Sequence, residues 1–477
     1  MPRGRVSAGG RRPRVLLYTG VDAVGGAEVA LGNLVGGLGD TYEVHVAGTD
    51  ETVVRWLAAH RPGLAHHVTG GGGARAHARL LRHVRPDVVQ ANLEVPWASP
   101  TLLATALALR RPRVVAVHHM AARTVDLPLL LRTRALALRL DANVAVSADG
   151  ARRVEDFYAL GRGSLHVIHN GVPLGGNAAR PRLSPAAGRA GQPNADARSI
   201  VDRAVHPDAD PGSGGWPDAD AGPVLGRGGQ PDAGSDGWPD ADARSFVGGV
   251  GQPDAGSGGW PDADAAPVWG RVGQPDADPA SGGWPDADAA SVVACVGRLD
   301  PVKGQDVLIG ALPRLPGVRA RLIGAGAQEP ALRAQAARLG VADRVELTGW
   351  TDRVDEHLRD VDIYVQPSRY ETLGLALIEA MGAGLPCVAT ATGGVPEVLD
   401  GGRCGHLVPT GDTAALADAI GRLAADPARR RRLGRQARER ALAAFTAERM
   451  ARRYESLWAE VLAAPPASRL RPHPPKP

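Results

Sequence analysis

The sequence predicts an α/β protein with two parallel-sheet domains that face a cleft and are separated by a long disordered repeat insert. Short apolar strands alternate with helical patterns in two stretches, residues 14–174 and 291–445, as in a series of βαβ units. Between them, residues 175–290 consist of recurring blocks rich in Gly, Pro, Ala and Asp. We expect the active cleft at the carboxyl ends of the strands.

The amino-terminal stretch begins after a basic segment, residues 1–13, that we expect to be disordered. The apolar run that follows, residues 15–18, is far too short for a signal-peptide core and is typical of a first strand. Predicted strands of this stretch are 14–18, 43–47, 87–91, 113–118 and 143–147.

The insert is an internal repeat of GQPDA and WPDADA blocks, in which Trp216, Trp238 and Trp260 recur every 22 residues. Such a composition offers too little apolar surface to offset chain entropy, which predicts disorder. Its Asp-Ala-Asp triplets could suggest a metal site, but a flexible Pro/Gly-rich context holds no rigid set of carboxylates, so we favour a solvated repeat. The tryptophans remain candidates for contact with a partner.

The second stretch runs from residue 291 to 445. It is followed by a terminal helix, residues 446–464, that we expect to cross back to the first domain, and by a disordered tail, residues 465–477. Predicted strands are 291–297, 319–324, 344–348, 363–366 and 387–390.

Charge and cysteine content indicate which partners and which cellular compartment suit the protein. The net charge is +4, yet the insert holds 17 Asp and 8 Arg, so the folded part is strongly basic. A basic surface suits phosphorylated substrates, anionic membranes or nucleic acid. Three cysteines without a CxxC pair indicate a reducing compartment and no zinc site. No stretch is long and apolar enough to span a membrane, so we expect a cytoplasmic protein.

Lys303 stands out because the chain has 55 basic residues of which only Lys303 and Lys476 are lysines. It follows the predicted strand 291–297 in a glycine turn that also contains Arg298. A lysine ammonium is a compact charge that can follow a phosphate as charge builds on it. We therefore expect Arg298 and Lys303 to face an anion, although a solvated surface lysine is the alternative.

Two glutamates, Glu371 and Glu379, flank a predicted helix start at Gly374. Glu379 is expected about two turns inside the helix, and Glu371 on the loop before it, so that both can face one cleft. Carboxylates suit a vicinal diol of a sugar, and the amides of Gly374 and Leu375 suit a diphosphate. A solvated face is the usual alternative, but Glu379 lies among apolar residues, where a charge needs a partner.

The loop after the first strand carries Gly25 and Gly26 ahead of a helical pattern. Small residues let a ligand approach the amino terminus of a helix, where free N–H groups favour anions. Taken alone, a simple turn before a helix is an equally good interpretation.

Together these motifs resemble glycosyltransferase family four. The resemblance covers nearly all of the chain outside the insert, the first dozen residues and the tail. It implies the GT-B fold, with two Rossmann-like domains, and a retaining, metal-independent transferase. The motifs that carry it are Pro367-Ser368 with Glu371 and Glu379, Gly297-Arg298-Leu299 with Lys303-Gly304, Gly25-Gly26-Ala27-Glu28, and Ile168-His169-Asn170-Gly171-Val172.

The resemblance also implies roles for single residues. Arg298 and Lys303 would neutralise the donor diphosphate, Glu379 would hold the nucleotide ribose, and Glu371 would contact the transferred sugar. Gly26 would approach the phosphate or the acceptor through its backbone.

A histidine of the family faces the sugar in the cleft. His118 matches it, with His119 as the neighbouring alternative and a structural histidine as a third reading. At Leu373 the family commonly has an aromatic residue, so packing against the sugar is expected to differ there.

The expected reaction is therefore transfer of a sugar from a nucleotide diphosphate sugar to a glycan, lipid or small-molecule acceptor. Alternatives are a nucleotide-sugar epimerase or hydrolase of the same fold, and an inactive sugar-nucleotide-binding scaffold. Arginines within residues 429–440, or a basic face near 127–140, could contact an anionic membrane. Apolar residues interspersed in the first of these segments favour packed helices over nucleic-acid binding.

Overall fold

Two parallel β-sheets organise the residues that the computed structural model describes, which are 11–109, 111–174, 291–351 and 353–465. Every neighbouring pair of strands in them runs parallel. The predicted α/β class with two parallel-sheet domains is therefore confirmed. The predicted disorder of the insert lies outside the described residues, as do residues 1–10 and 466–477.

The first domain contains β1 Arg14–Thr19, β2 Glu43–Gly48, β3 Ala65–Val68, β4 Val88–Leu93, β5 Arg113–His118, β6 Ala142–Ala145 and β7 Leu165–Val167. The strand order is β3-β2-β1-β4-β5-β6-β7. Strand β4 is buried along its whole length because helices cover both faces of the sheet. The order reverses between β1 and β4, so the loops after these strands meet at one edge, where α/β folds bind ligands.

Six helices connect these strands, and short polar residues cap several of them. The Asp50 carboxylate accepts the N–H of Val53, and Ser147 accepts that of Gly150, which satisfies amides that lack a partner within the helix. The helices are α1 Gly26–Gly37, α2 Glu51–Ala58, α3 Ala74–Val84, α4 Pro100–Leu109, α5 Leu127–Ala137 and α6 Ala148–Phe157.

The second domain contains β8 Ser291–Val296, β9 Val318–Ile323, β10 Val345–Gly349, β11 Ile363–Gln366, β12 Cys387–Thr390 and β13 His406–Val408. Their order is β10-β9-β8-β11-β12-β13, with the reversal between β8 and β11. The loops that carry Lys303 and Glu371 follow these two strands and therefore meet at the carboxyl edge. Its helices are α7 Gln305–Ala311, α8 Glu329–Arg338, α9 Val354–His357, α10 Leu375–Gly382, α11 Val395–Val398, α12 Thr413–Ala424 and α13 Pro427–Ala444.

A terminal helix, α14 Ala447–Ala463, packs against α1 of the first domain. Trp458 is fully buried there, and its indole N–H donates to Oε1 of Gln90 at 3.0 Å. The Tyr42 hydroxyl donates to the Glu455 carbonyl at 3.0 Å. A buried aromatic side chain with its polar atom paired is a strong anchor, so the carboxyl-terminal segment is held on the first domain.

All ten predicted strands are present within a residue or two of their expected bounds, whereas β3, β7 and β13 were missed. These three have three or four residues and lie at the edges of the sheets. A strand of that length carries too little apolar pattern to be recognised.

Two further features concern the surface. No helix within the described ranges combines the length and apolar character that a membrane crossing needs. The arginines of α13 do not form one free face, because Arg430 and Arg438 donate to backbone carbonyls and Arg440 donates to the carbonyl of Glu397.

Candidate active site

The loop after β8 is held in one conformation by its own backbone and its neighbours. Leu299 is buried, and its N–H donates to the carbonyl of Ala325 at 3.0 Å. The Asp300 carboxylate accepts the N–H of Val302 at 3.0 Å and starts a short 3-10 turn, Pro301–Lys303. The Gln305 side chain donates to the Arg298 carbonyl at 2.9 Å. The two predicted cations therefore project from a rigid loop.

Lys303 and Glu371 meet in this site. The Lys303 ammonium donates to Oε2 of Glu371 at 2.7 Å, and both side chains are largely buried. An ammonium has three N–H donors, so Lys303 can hold Glu371 and still donate to an anion. The sequence predicted both residues in the cleft but not this direct pair.

A second pair fixes the two loops to each other. The Arg369 guanidinium donates to both carboxylate oxygens of Asp306, at 2.8 and 2.6 Å, and to the Pro301 carbonyl at 2.7 Å. Two parallel charge-assisted bonds give both strength and a fixed orientation. Arg369 thus ties the loop after β11 to the loop after β8. Neither residue carried a signal in the sequence, because a pairing across 63 positions leaves no local pattern.

Helix α10 begins at Leu375 with Gly374 as its amino cap. Gly374 has φ +92°, and a side chain there would lie 2.8 Å from the Gln366 amide nitrogen. Glycine therefore allows the sharp entry that leaves the first amides of the helix at the carboxyl edge of the sheet. Leu373 is 2% exposed, so its side chain packs into the core.

Glu379 is the fifth residue of α10, a little over one turn from its start and not the two turns expected. It is half-buried and lies one turn beyond Leu375 on the same helix face. The Glu379 carboxylate therefore lies near the start of α10, on the same face of the helix as Leu375.

Arg298 lies on the loop after β8. Its guanidinium is half exposed and lies 3.1 Å from the Asp300 carboxylate. The protein around Glu94, on the loop after β4, reduces solvation of that carboxylate and raises its pKa; Arg298 opposes this rise and Asp22 adds to it. The loops after β4 and β8 therefore lie close enough for the charges of Glu94 and Arg298 to interact.

The Gly25–Gly26 loop is anchored by a buried carboxylate. Glu28 accepts the Thr19 hydroxyl at 2.9 Å and the Gly25 N–H at 3.1 Å. Burial raises the pKa of Glu28 to about 7, although these two hydrogen bonds lower it. A side chain at Gly26 would meet no atom within 4 Å, so its backbone is open to a ligand. The sequence analysis named Glu28 as part of a motif without giving it a role, although its place three residues after the helix cap is a capping-box signal.

His118 lies in the interior of the first domain. Its side chain is 3% exposed, its Nε2 is 3.1 Å from Oδ1 of Asn143, and burial lowers its pKa to about 4. It lines a small cavity with residues of α4 and α5, including Leu103 and Leu136, and every residue around this cavity belongs to the first domain. These contacts lie within the first domain, and the predicted role of His118 toward the sugar stays a prediction. His119 is half-buried, and burial also lowers its pKa to about 4.

Comparison with known families gives two matches, one on each domain. A model described as Glycosyltransferase Family 4 matches residues 24–175, and one described as Glycosyl transferases group 1 matches residues 290–426. Together they span more than half of the chain.

Two curated relatives match part of the chain. An N-acetyl-alpha-D-glucosaminyl L-malate synthase of Bacillus anthracis is 36% identical over 141 residues, 30% of this chain and 37% of that protein. A D-inositol 3-phosphate glycosyltransferase of Mycobacteroides abscessus is 45% identical over 133 residues, 26% of this chain and 30% of that protein. The chain thus matches less than half of the length of each relative.

Solved structures share the whole architecture. The crystal structure of Anabaena HepE in complex with UDP and glucose superposes with a TM-score of 0.62 at 19% identity, over 93% of this chain and 99% of that one. At this identity the likeness shows the fold. With one family model on each of two facing parallel-sheet domains, the chain belongs to the family 4 and group 1 glycosyltransferases of GT-B fold.

Proposed function

We propose that this protein is a retaining glycosyltransferase that moves a sugar from a nucleotide diphosphate sugar to an acceptor hydroxyl, without a metal ion. The observation that carries the proposal is the pair of Lys303 and Glu371 at 2.7 Å, at the carboxyl ends of β8 and β11. Arg298 and the first amides of α10 belong to the same two loops. A diphosphate bound at these two loops could be stabilised by positive charge and by helix amides, which supports the proposal.

Each group has a distinct role in binding the donor. Lys303 and Arg298 bind the diphosphate, and Lys303 also neutralises Glu371, which would otherwise repel it. Glu371 then accepts hydroxyl groups of the transferred sugar. Glu379 accepts the ribose hydroxyls, since a carboxylate can take two hydrogen bonds from a vicinal diol.

The transfer breaks the bond between the anomeric carbon and the diphosphate oxygen. The acceptor oxygen forms its bond to that carbon on the same face, and its proton passes to the departing diphosphate oxygen. Negative charge grows on the diphosphate as the bond opens, so fixed cations and amides lower the barrier most there. No protein residue is needed as a general base in this series of steps.

The relatives support this reading. Those at 36% and 45% identity are named as an N-acetyl-alpha-D-glucosaminyl L-malate synthase and a D-inositol 3-phosphate glycosyltransferase, and HepE was solved with UDP and glucose. We propose a donor of the same class for this chain, and a glycan, lipid or small molecule as acceptor.

We further propose that the protein works in the cytoplasm and contacts an anionic membrane through α5. Val125, Leu127 and Leu131 are among the most exposed large apolar side chains of the described residues, and Arg132 is exposed beside them. Apolar side chains that can enter a membrane interface beside a cation are typical of peripheral binding. Buried free cysteines fit a reducing compartment.

The test begins with a thermal-shift screen of nucleotide sugars, because a ligand that binds the native state raises its melting temperature. Transfer from the best donor is then measured for Arg298→Ala and Lys303→Ala. We expect both variants to stay folded and to lose about a hundredfold or more in turnover, as when a charge-stabilising donor is removed.

The matched control is Arg338→Ala, on an exposed position of α8. It should keep wild-type turnover. Wild-type turnover in the Arg298 and Lys303 variants would contradict the assignment.

A further inference from the structure

Glu397 joins the two domains. It lies on α11 of the second domain, yet its carboxylate accepts the N–H groups of Ala148 and Asp149 in the first domain, both at 2.9 Å. It also binds Nε2 of His169, in the segment that leaves the first domain, at 3.0 Å. Side chains of Glu397 and His169 are each about a quarter exposed. One carboxylate thus makes three bonds across the domain boundary.

These bonds hold Glu397 in its charged form. Burial would raise its pKa, but the bonds from His169, Ala148 and Asp149 outweigh burial and lower it. Ala148 and Asp149 begin α6, where free amides and the helix dipole favour an anion. Helix α6 is thereby capped twice, by Ser147 from its own domain and by Glu397 from the other.

The amino-terminal end of α11 contacts the loop after β11, which carries Glu371. Gly394, the cap of α11, donates its N–H to the carbonyl of Glu371 at 3.1 Å. A side chain at Gly393, whose φ is +53°, would lie 1.9 Å from that same carbonyl. One at Gly394 would lie 2.3 Å from the Thr372 carbonyl and 2.8 Å from Cβ of Ser147. The turn therefore packs closely against both the loop that carries Glu371 and Ser147 of the first domain, with no room for a side chain at either glycine.

The contact lies where the chain crosses between domains. Val172 donates its N–H to the Phe445 carbonyl and accepts that of Ala447, both at 2.9 Å. The Phe445 ring lies edge-on to His169 at 5.4 Å, and Arg440 donates to the Glu397 carbonyl at 3.1 Å. A domain movement that opens or closes the cleft must therefore rearrange the surroundings of Glu397.

We propose that Glu397 is a positioning residue for sugar transfer. Through Gly393 and Gly394 it fixes the backbone of Glu371, and with it the Lys303 pair, relative to the first domain. The inference rests on the proposed function, because it assigns Glu397 to the same transfer reaction. It predicts that Glu397 affects turnover without touching the donor.

The test is Glu397→Gln. Ala148 and Asp149 donate to different oxygens of the Glu397 carboxylate. In the amide one of these oxygens becomes an NH2 donor, so the charge is lost and one backbone N–H group faces another donor. We expect turnover to fall about tenfold to a hundredfold, as for a displacement of reacting groups by a fraction of an ångström to 1 Å. The Kd for a nucleoside diphosphate should stay within about twofold, because Arg298, Lys303 and the start of α10 all lie in the second domain and keep their positions relative to one another.

Hydrogen exchange of the Ala148 and Asp149 amides is the second readout. It should accelerate in Glu397→Gln and stay unchanged in the control Glu329→Gln, at the first residue of α8, where the carboxylate pairs with Arg333 of the same helix. If Glu397→Gln is too unstable to purify, His169→Ala removes the bond from the imidazole to Glu397 and should show a smaller loss of turnover.

Failure of the proposed function and failure of the inference about Glu397 give different results. If the wild type transfers no sugar, the proposed function fails, while faster exchange in the variant would still support the contact. Wild-type turnover in Glu397→Gln, or unchanged exchange at both amides, would overturn the inference.

Discussion

Replacing Gly304 by alanine should disable the site while leaving the fold intact. Gly304 has φ +67°, and its added Cβ would lie 2.0 Å from the Pro367 carbonyl oxygen. Because such contacts are essentially never shorter than 3.0 Å, the loop must move by about 1 Å. Lys303, the preceding residue, moves with it. A misplacement of this size costs about a hundredfold in rate, or roughly 2.7 kcal/mol of barrier.

Gly340 offers a matched control. It has φ +66°, but an added Cβ would meet no atom within 4 Å. Both variants carry the left-handed backbone cost of about 1–2 kcal/mol, so both should melt a few degrees lower. Only Gly304→Ala should lose kcat/KM, by about a hundredfold, in a sugar-transfer assay with thermal unfolding measured in parallel. Equal kcat/KM in the two variants would refute the claim that the geometry of this loop limits the reaction.

Two other predictions concern pH and membranes. The raised pKa of Glu28, from 4.5 to about 7, means that ionising it opposes folding, by on the order of 3 kcal/mol as pH rises across that window. Glu28→Gln mimics the neutral acid, so urea unfolding should find its stability gain over the wild type growing from pH 5 to pH 8; a constant difference would contradict this. Replacing Leu127 and Leu131 by Glu should abolish sedimentation with anionic vesicles and leave transfer to a soluble acceptor unchanged, and unchanged sedimentation would remove α5 as the membrane contact.

The fold could be predicted because its central strands are strongly apolar and regularly spaced. The strand Arg113–His118, for example, has five consecutive buried positions, which is typical of a parallel sheet covered on both faces. Edge strands such as Ala65–Val68 alternate half-buried and exposed positions over four residues. Their position depends on the neighbouring strand more than on their own pattern, so only the assembled sheet reveals them.

The site could be predicted in part. Lys303 was singled out by composition, and Glu371 and Glu379 by their place at a helix start, because these are local properties. The bond between Lys303 and Glu371 spans 68 positions, and that between Ala148 and Glu397 spans 249. Partners at such separations follow from topology, which only the fold specifies.

His118 shows a different limit of prediction from sequence, which is the direction in which a side chain at the end of a strand points. The sequence correctly placed it at the end of a strand, on the edge where ligands bind. Successive side chains point to opposite faces of a sheet, and with both faces buried the apolar pattern does not tell which face a residue covers. Its side chain packs among α4 and α5, bonded to Asn143.

The central claim is that Lys303, Arg298 and the start of α10 receive the negative charge of a departing diphosphate. A crystal structure of the protein with the nucleoside diphosphate that stabilises it most tests this directly. The account predicts phosphate oxygens within about 3 Å of the Lys303 ammonium and of the first amides of α10, as in charge-assisted hydrogen bonds. A diphosphate bound elsewhere, with Lys303 still paired to Glu371 alone, would contradict it.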